Sequence, residues 1–142
     1  MLIQILGRYD NIEEYFNIKI IEIGDKETLE ENDFKLTAYK LDHGINVEEQ
    51  GYILEKEGKK LGILWDTSVC DNYYEVCKNV DYVFSDSGKI ETTASHIGVY
   101  DLNLMHKIYP NVKFYAVHRG NYNIDIIDNS IIVPKDGESI NL

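Results

Sequence analysis

The apolar positions of the chain follow two periods, and the switch between them lays out the elements. Phe34 to Leu41 (FKLTAYKL) alternates apolar and polar residues, the pattern of a strand with one face against a core. The stretch Gly51 to Thr67 reads as a β-hairpin: Tyr52 to Leu54 and Leu61 to Trp65 flank a Glu57-Gly58-Lys59 turn, and the second strand runs into Asp66-Thr67. Asn17 to Ile23 (NIKIIEI) alternates in the same way, and Asp81 to Phe84 (DYVF) is a short strand of the buried type. Val112 to Val117 (VKFYAV) is another strand and ends at His118.

Helical spacing appears in three places. Asp10 to Phe16 forms a turn or two capped by Asp10 or Asn11. A helix capped by Ser68 runs to about Lys78 with Val69, Tyr73, Val76 and Cys77 at helical spacing. Val99 to His106 carries Leu102, Met105 and Ile108 at the same spacing and stops before Pro110, since the residue preceding proline disfavours helix. Gly24 to Asp33 reads as a charged turn region and Ser85 to Ser95 as a polar loop. The tail pairs Ile131 to Val133 with Ser139-Ile140 around a Lys135-Asp136-Gly137 turn. Strands are thus expected at about 17–23, 34–41, 51–56, 60–66, 81–84 and 112–117. Helices alternate with strands from the hairpin onward, so the class is α/β, with residues 1–142 as a single domain.

Composition narrows the function classes. Hydrophobic residues at 44% and aromatic residues at 11% exclude a disordered chain. A net charge of −11 argues against direct nucleic-acid binding through the phosphate backbone. No window approaches the ~20 apolar residues of a membrane span, and no basic region followed by an apolar stretch opens the chain. Cys70 and Cys77, seven apart on one expected helix face, read as reduced apolar residues rather than a disulfide framework, which points to the cytoplasm.

The candidate chemistry sits where strands end. His43 follows FKLTAYKLD, Asp66 follows LGILW and His118 follows KFYAV. Two imidazoles and a carboxylate at one end of neighbouring strands suit a zinc or manganese ion. His96 lies between a loop and a helix, a place for an acid–base group that titrates near neutrality. His106, inside a helix at a solvent-leaning position, reads as structural or surface.

In this order and spacing, His43, Gly51-Tyr52, Asp66-Thr67, Ser95-His96, His118 and Asp136-Gly137 resemble the second half of the metallo-β-lactamase fold, in the branch of ribonuclease Z and the cyclic phosphodiesterases. The resemblance spans about residues 17–142. It implies half of an αββα sandwich, one mixed sheet with helices on one face, as a truncated domain. It implies metal-dependent hydrolysis of a phosphodiester at a two-metal site. His43 would complete the first metal's ligand set, Asp66 would bridge the metals, His118 would bind the second, and His96 would protonate the leaving oxygen. The family's HxHxDH signature does not occur in this sequence, which leaves two protein ligands per ion and implies a chain inactive by itself. Asp86 stands near the place of an acidic residue that the family often carries.

A half-sandwich also leaves a sheet face uncovered, either Leu61, Ile63 and Trp65 or Phe114 and Ala116. The expected cover is a second copy in a homodimer, an N-terminal half supplied in trans, or another protein partner. The rival reading is a non-catalytic acidic binding protein, an inhibitor of a nucleic-acid-processing enzyme whose basic groove it occupies.

Overall fold

Parallel strands joined in sequence need crossover connections, and the helices supply them. The computed structural model describes residues 21–141. Six strands form one sheet in sequence order: β1 Thr28–Glu31, β2 Phe34–Asp42, β3 Glu48–Lys56, β4 Lys59–Leu64, β5 Tyr82–Asp86 and β6 Lys113–Val117. The first four are antiparallel, while β4, β5 and β6 run parallel. Helix α1 (Asp71–Lys78) crosses from β4 to β5 and α2 (Val99–Ile108) from β5 to β6. Crossovers of one hand between strands added in one direction put both helices on the same face.

That face holds the core. Tyr73, Val76 and Cys77 of α1 and Leu102 and Met105 of α2 pack into one cluster with Ile53, Leu64, Val83 and Phe114 of the sheet. The alternate residues of the strands form the opposite face, on which no helix lies among the described residues. The register sets them in rows: Ala38, Tyr52, Ile63, Phe84 and Tyr115 cross the sheet side by side, and Leu36, Leu54, Leu61 and Tyr82 form the next row. Phe84 and Tyr115 stack at 4.7 Å. Among the described residues, the face without helices is therefore that of Leu61 and Ile63, whereas Phe114 and Ala116 lie beneath the helices.

The expected strands at 34–41, 51–56, 60–66, 81–84 and 112–117 are all present with shifted ends. The hairpin turns on Glu57 (φ 53) and Gly58 (φ 76), two left-handed residues that match the strand twist, and glycine takes the second without strain. The helix expected over 10–16 and residues 17–20 of the first strand lie outside the described residues, and residues 21–23 form no strand.

Other boundaries are corrected. Within the charged region, β1 pairs with β2 as the edge strand among the described residues, and it shows no apolar alternation because neither of its faces is buried. Helix α1 starts after Cys70 rather than after Ser68, because Ser68 N donates to Asp42 O (2.7 Å) and is committed to joining strand ends. Ser85 and Asp86 extend β5 rather than opening a loop, through pairing with Ala116 and Val117. The tail turn forms, with Glu138 N donating to Lys135 O, but Ser139-Ile140 is not a strand. Ile132 instead bridges Tyr115 in parallel, its N and O bonded to Phe114 O and Ala116 N.

Candidate metal centre

Because β4, β5 and β6 are parallel, their C-terminal ends lie along one rim, and each end delivers a polar residue: Asp66 two residues past β4, Asp86 closing β5, and His118 just after β6. Hydrogen bonds between loops lock the rim. Thr67 Oγ1 and Ser68 N both donate to Asp42 O, which ties the end of β2, and so His43, to the end of β4. Ile97 N donates to Thr67 O (2.6 Å) and fixes the segment carrying His96. Ser87 Oγ donates to Val117 O (2.8 Å) and Tyr122 OH to Ser87 O (2.6 Å), joining the ends of β5 and β6.

The result is a cluster of Asp66, Asp86, His96 and His118 whose ligand atoms lie within 4.8 Å of one another. Asp86 is at its base with no exposed surface. A carboxylate removed from water needs donors, and it has them. Its Oδ1 accepts from Gly88 N (2.8 Å), and its Oδ2 faces His96 Nδ1 at 2.7 Å. A carboxylate only accepts there, so Nδ1 carries the proton and Nε2 is the free nitrogen of His96. A Cβ at Gly88 would come within 3.1 Å of Asp86 Oδ1, so the loop closes tightly over the carboxylate. His118 Nδ1 contacts Asp66 Oδ1 closely and lies 3.4 Å from Asp86 Oδ1.

His43 stands beside this group. Its ring meets that of His96 edge-on at 5.0 Å, and His96 is 5.3 Å from His118, so three imidazoles lie in a row. His43 Nδ1 is 2.8 Å from Ser95 O. A carbonyl accepts, so this ring too keeps Nε2 free. An imidazole held at one nitrogen by a carbonyl or carboxylate is the usual state of a metal-binding histidine.

Asp66 and His118 share a further feature. Their backbones are left-handed, with φ of 44° and 48°, a conformation that side chains other than glycine adopt at some strain. Lys26, Asn46 and Glu57 share it, in the turns and the loop between strands.

Of the residues singled out from sequence, Asp66, His96 and His118 fall in the cluster, and His43 adjoins it. His106, expected to lean toward solvent, is instead half-buried, with its ring edge-on to the core residue Phe114 at 5.6 Å. Glu49, half-buried on β3, carries no sequence signal, since it stands in the acidic run Glu48-Glu49. Burial pushes its carboxyl above the ordinary range, the Asp66 charge adds to this and His43 opposes it.

No family model and no curated protein matches the sequence. Among solved structures, a diphosphatase of the PhnP family superposes with a TM-score of 0.71 at 17% identity, over 95% of this chain and 52% of that protein. The metallo-β-lactamase fold protein YhfI from Bacillus subtilis gives 0.63 at 15% identity, over 82% of this chain and 52% of that one. The described sheet is half of a metallo-β-lactamase fold. Zinc-bound PqqB from Methylobacterium extorquens gives 0.59 at 15% identity, over 84% of this chain and 55% of its own. The chain thus spans about half the length of these proteins, and the likeness is one of fold. No helix among the described residues is long and apolar enough to cross a membrane.

Proposed function

We propose that this chain is the half of a metal-dependent phosphodiester hydrolase that supplies the bridging carboxylate and the proton donor. Its metal would be zinc or manganese. The observation that carries the reading is the meeting of two carboxylates and two imidazoles within 4.8 Å on the rim of the parallel strands. The donor set fits such an ion, since imidazole nitrogen and carboxylate oxygen are its common ligands. Asp66 and His118 of this cluster are the assigned ligands, together with His43, which adjoins it.

Asp86 and His96 are assigned to proton transfer. The buried carboxylate holds His96 Nδ1–H, sets the ring's tautomer and leaves Nε2 to give a proton to the leaving oxygen of the ester. A bound ion would supply Lewis acidity toward the phosphoryl oxygens. Three protein ligands are few for two ions, and the HxHxDH residues are not in the sequence, so the chain alone is expected to bind metal and turn over little.

Calorimetric titration of the purified chain with zinc or manganese, alongside an assay on bis-p-nitrophenyl phosphate, tests both parts. Saturable binding weakened at least ~10-fold by Asp66→Ala, with turnover at background, is the expected result. No saturable binding would overturn the metal assignment. Turnover abolished by Asp66→Ala would overturn the inactivity of the isolated chain.

A further inference from the structure

The amide that serves the buried carboxylate of the metal centre belongs to a peptide that is itself held from behind. Asp86 has no exposed surface, and its Oδ1 accepts from Gly88 N (2.8 Å). That N–H shares one peptide plane with the Ser87 carbonyl, whose oxygen accepts from Tyr122 OH at 2.6 Å and from Gly120 N at 3.3 Å. A planar peptide bonded at its oxygen keeps its N–H aimed, and each such bond strengthens the N–H as a donor by about 10–30%. The bonds therefore run in series. They lead from the Tyr122 hydroxyl through the Ser87–Gly88 peptide to Asp86 Oδ1, and from Asp86 Oδ2 to His96 Nδ1 (2.7 Å). Oδ1 also lies 3.4 Å from His118 Nδ1, so one carboxylate reaches both imidazoles. Tyr122 is fixed at its other end, where its ring packs on the core. A Cβ at Gly120 would come 2.2 Å from Gly88 O, so glycine is required there for the Tyr122 segment to lie against the Ser87–Gly88 loop.

Resting on the hydrolase reading above, we infer that Tyr122 is a positioning residue for the proton-transfer pair: it holds the Ser87–Gly88 peptide so that Asp86 keeps His96 in its Nδ1–H tautomer. Tyr122 acts through Asp86 and not on the substrate. Without the hydroxyl, Ser87 O retains only the longer bond from Gly120 N, and the peptide is free to tilt. Asp86 then loses its aligned donor at Oδ1. A buried carboxylate left short of a donor is costly, so it turns to recover one. The turn carries Oδ2 out of line with His96 Nδ1, and the ring is no longer confined to one tautomer.

The test is heteronuclear NMR of the metal-free chain and of Tyr122→Phe, which keeps the ring and removes the hydroxyl. In the parent chain the Gly88 amide is expected far downfield, as a donor to a carboxylate, and the two His96 nitrogens well separated, as in a single tautomer. In Tyr122→Phe the Gly88 amide should exchange roughly fivefold faster, the loss of about one hydrogen bond, and the two His96 nitrogen shifts should move toward each other. Tyr109→Phe, which removes a hydroxyl bonded to Tyr74 O on the helix layer, should leave both signals in place. Reduced urea resistance of Tyr122→Phe with unchanged Gly88 and His96 signals would make Tyr122 structural and overturn the inference. If Tyr122→Phe does not fold, the parent chain decides. A Gly88 amide that exchanges as fast as an unbonded one overturns the inference, whereas a protected, downfield amide with a single His96 tautomer supports it. Zinc titration of the parent chain reads the hydrolase proposal separately: His96 signals that respond to Tyr122→Phe without zinc binding support the positioning role and overturn the metal assignment.

Discussion

Asp66 and His118 hold left-handed backbones in which a side chain costs on the order of 1–2 kcal/mol. Neither sits in a tight turn of the hairpin kind, and each presents a polar side chain at the end of a parallel strand. The strain is set against the position it gives: it re-aims the side chain as the strand ends, so that two residues from different strands meet. Asp66→Asn separates the two effects. Asparagine has the same shape and tolerates the left-handed region, but it is neutral. The unfolding free energy in urea is expected to stay within about 0.5 kcal/mol of the parent, whereas zinc affinity measured by calorimetry falls at least ~10-fold. A large loss of stability with unchanged zinc affinity would make Asp66 a structural residue. At this scale the sequence was partly legible. His43, Asp66 and His118 stand out because apolar strands run directly into them. Asp86 is harder to read: the apolar run stops at Phe84, and the strand continues only because Tyr73 OH satisfies the buried Ser85 hydroxyl (2.7 Å) and Gly88 N the Asp86 carboxylate. Glu49 is placed by a register that no local pattern encodes.

Elements with a strong period were recovered, and those without one were not. The hairpin, β2 and β6 follow from alternation plus a left-handed turn, and α2 from its buried Leu102 and Met105. In α2 the third residue of the expected stripe, Ile108, is 49% exposed, because the helix turns that side out as it ends. Edge strand β1 and the tail escape local reading because their pairing is decided by the neighbour: β2 accepts a polar strand, and β6 takes Ile132 in place of a tail hairpin. The start of α1 moves for the same kind of reason, since Ser68 serves the rim instead of the helix. This changes the environment of the two cysteines. Cys70 becomes the residue before the helix, half-buried, and Cys77 faces the core with its thiol pushed up by burial. A thiol reacts as thiolate and only where reagent can reach it. Ellman's reagent at pH 8 is therefore expected to titrate one thiol in the native protein and both in urea, with Cys70→Ser removing the native reaction. Rapid reaction of both thiols in the native state would show that α1 is not seated on the sheet.

For the molecule as a whole, the decisive feature is a sheet with its described helices on one side only. The opposite face is apolar across its width, from Leu36 and Leu54 through Leu61 and Ile63 to Tyr82, and two such faces are similar in shape because both follow the same sheet twist. Packed against each other about a two-fold axis, they would form four layers, helix–sheet–sheet–helix. Stable association needs roughly 1,200 Å² of buried surface, and because lost freedom and side-chain ordering offset most of the gain from burying apolar area, the expected affinity is micromolar. The charge of −11 per chain opposes it. At physiological salt, however, charges more than about 8 Å apart are largely screened, and the rows that meet are apolar. Sedimentation at several concentrations is expected to show twice the 16.4 kDa chain mass at tens of micromolar, with dissociation on dilution. Leu61→Glu, at the centre of the second row, should abolish the dimer, because each copy would then bury a carboxylate against the other's apolar face without a partner. A chain that stays monomeric at high micromolar concentration without aggregating would exclude the dimer and leave the face to a different partner.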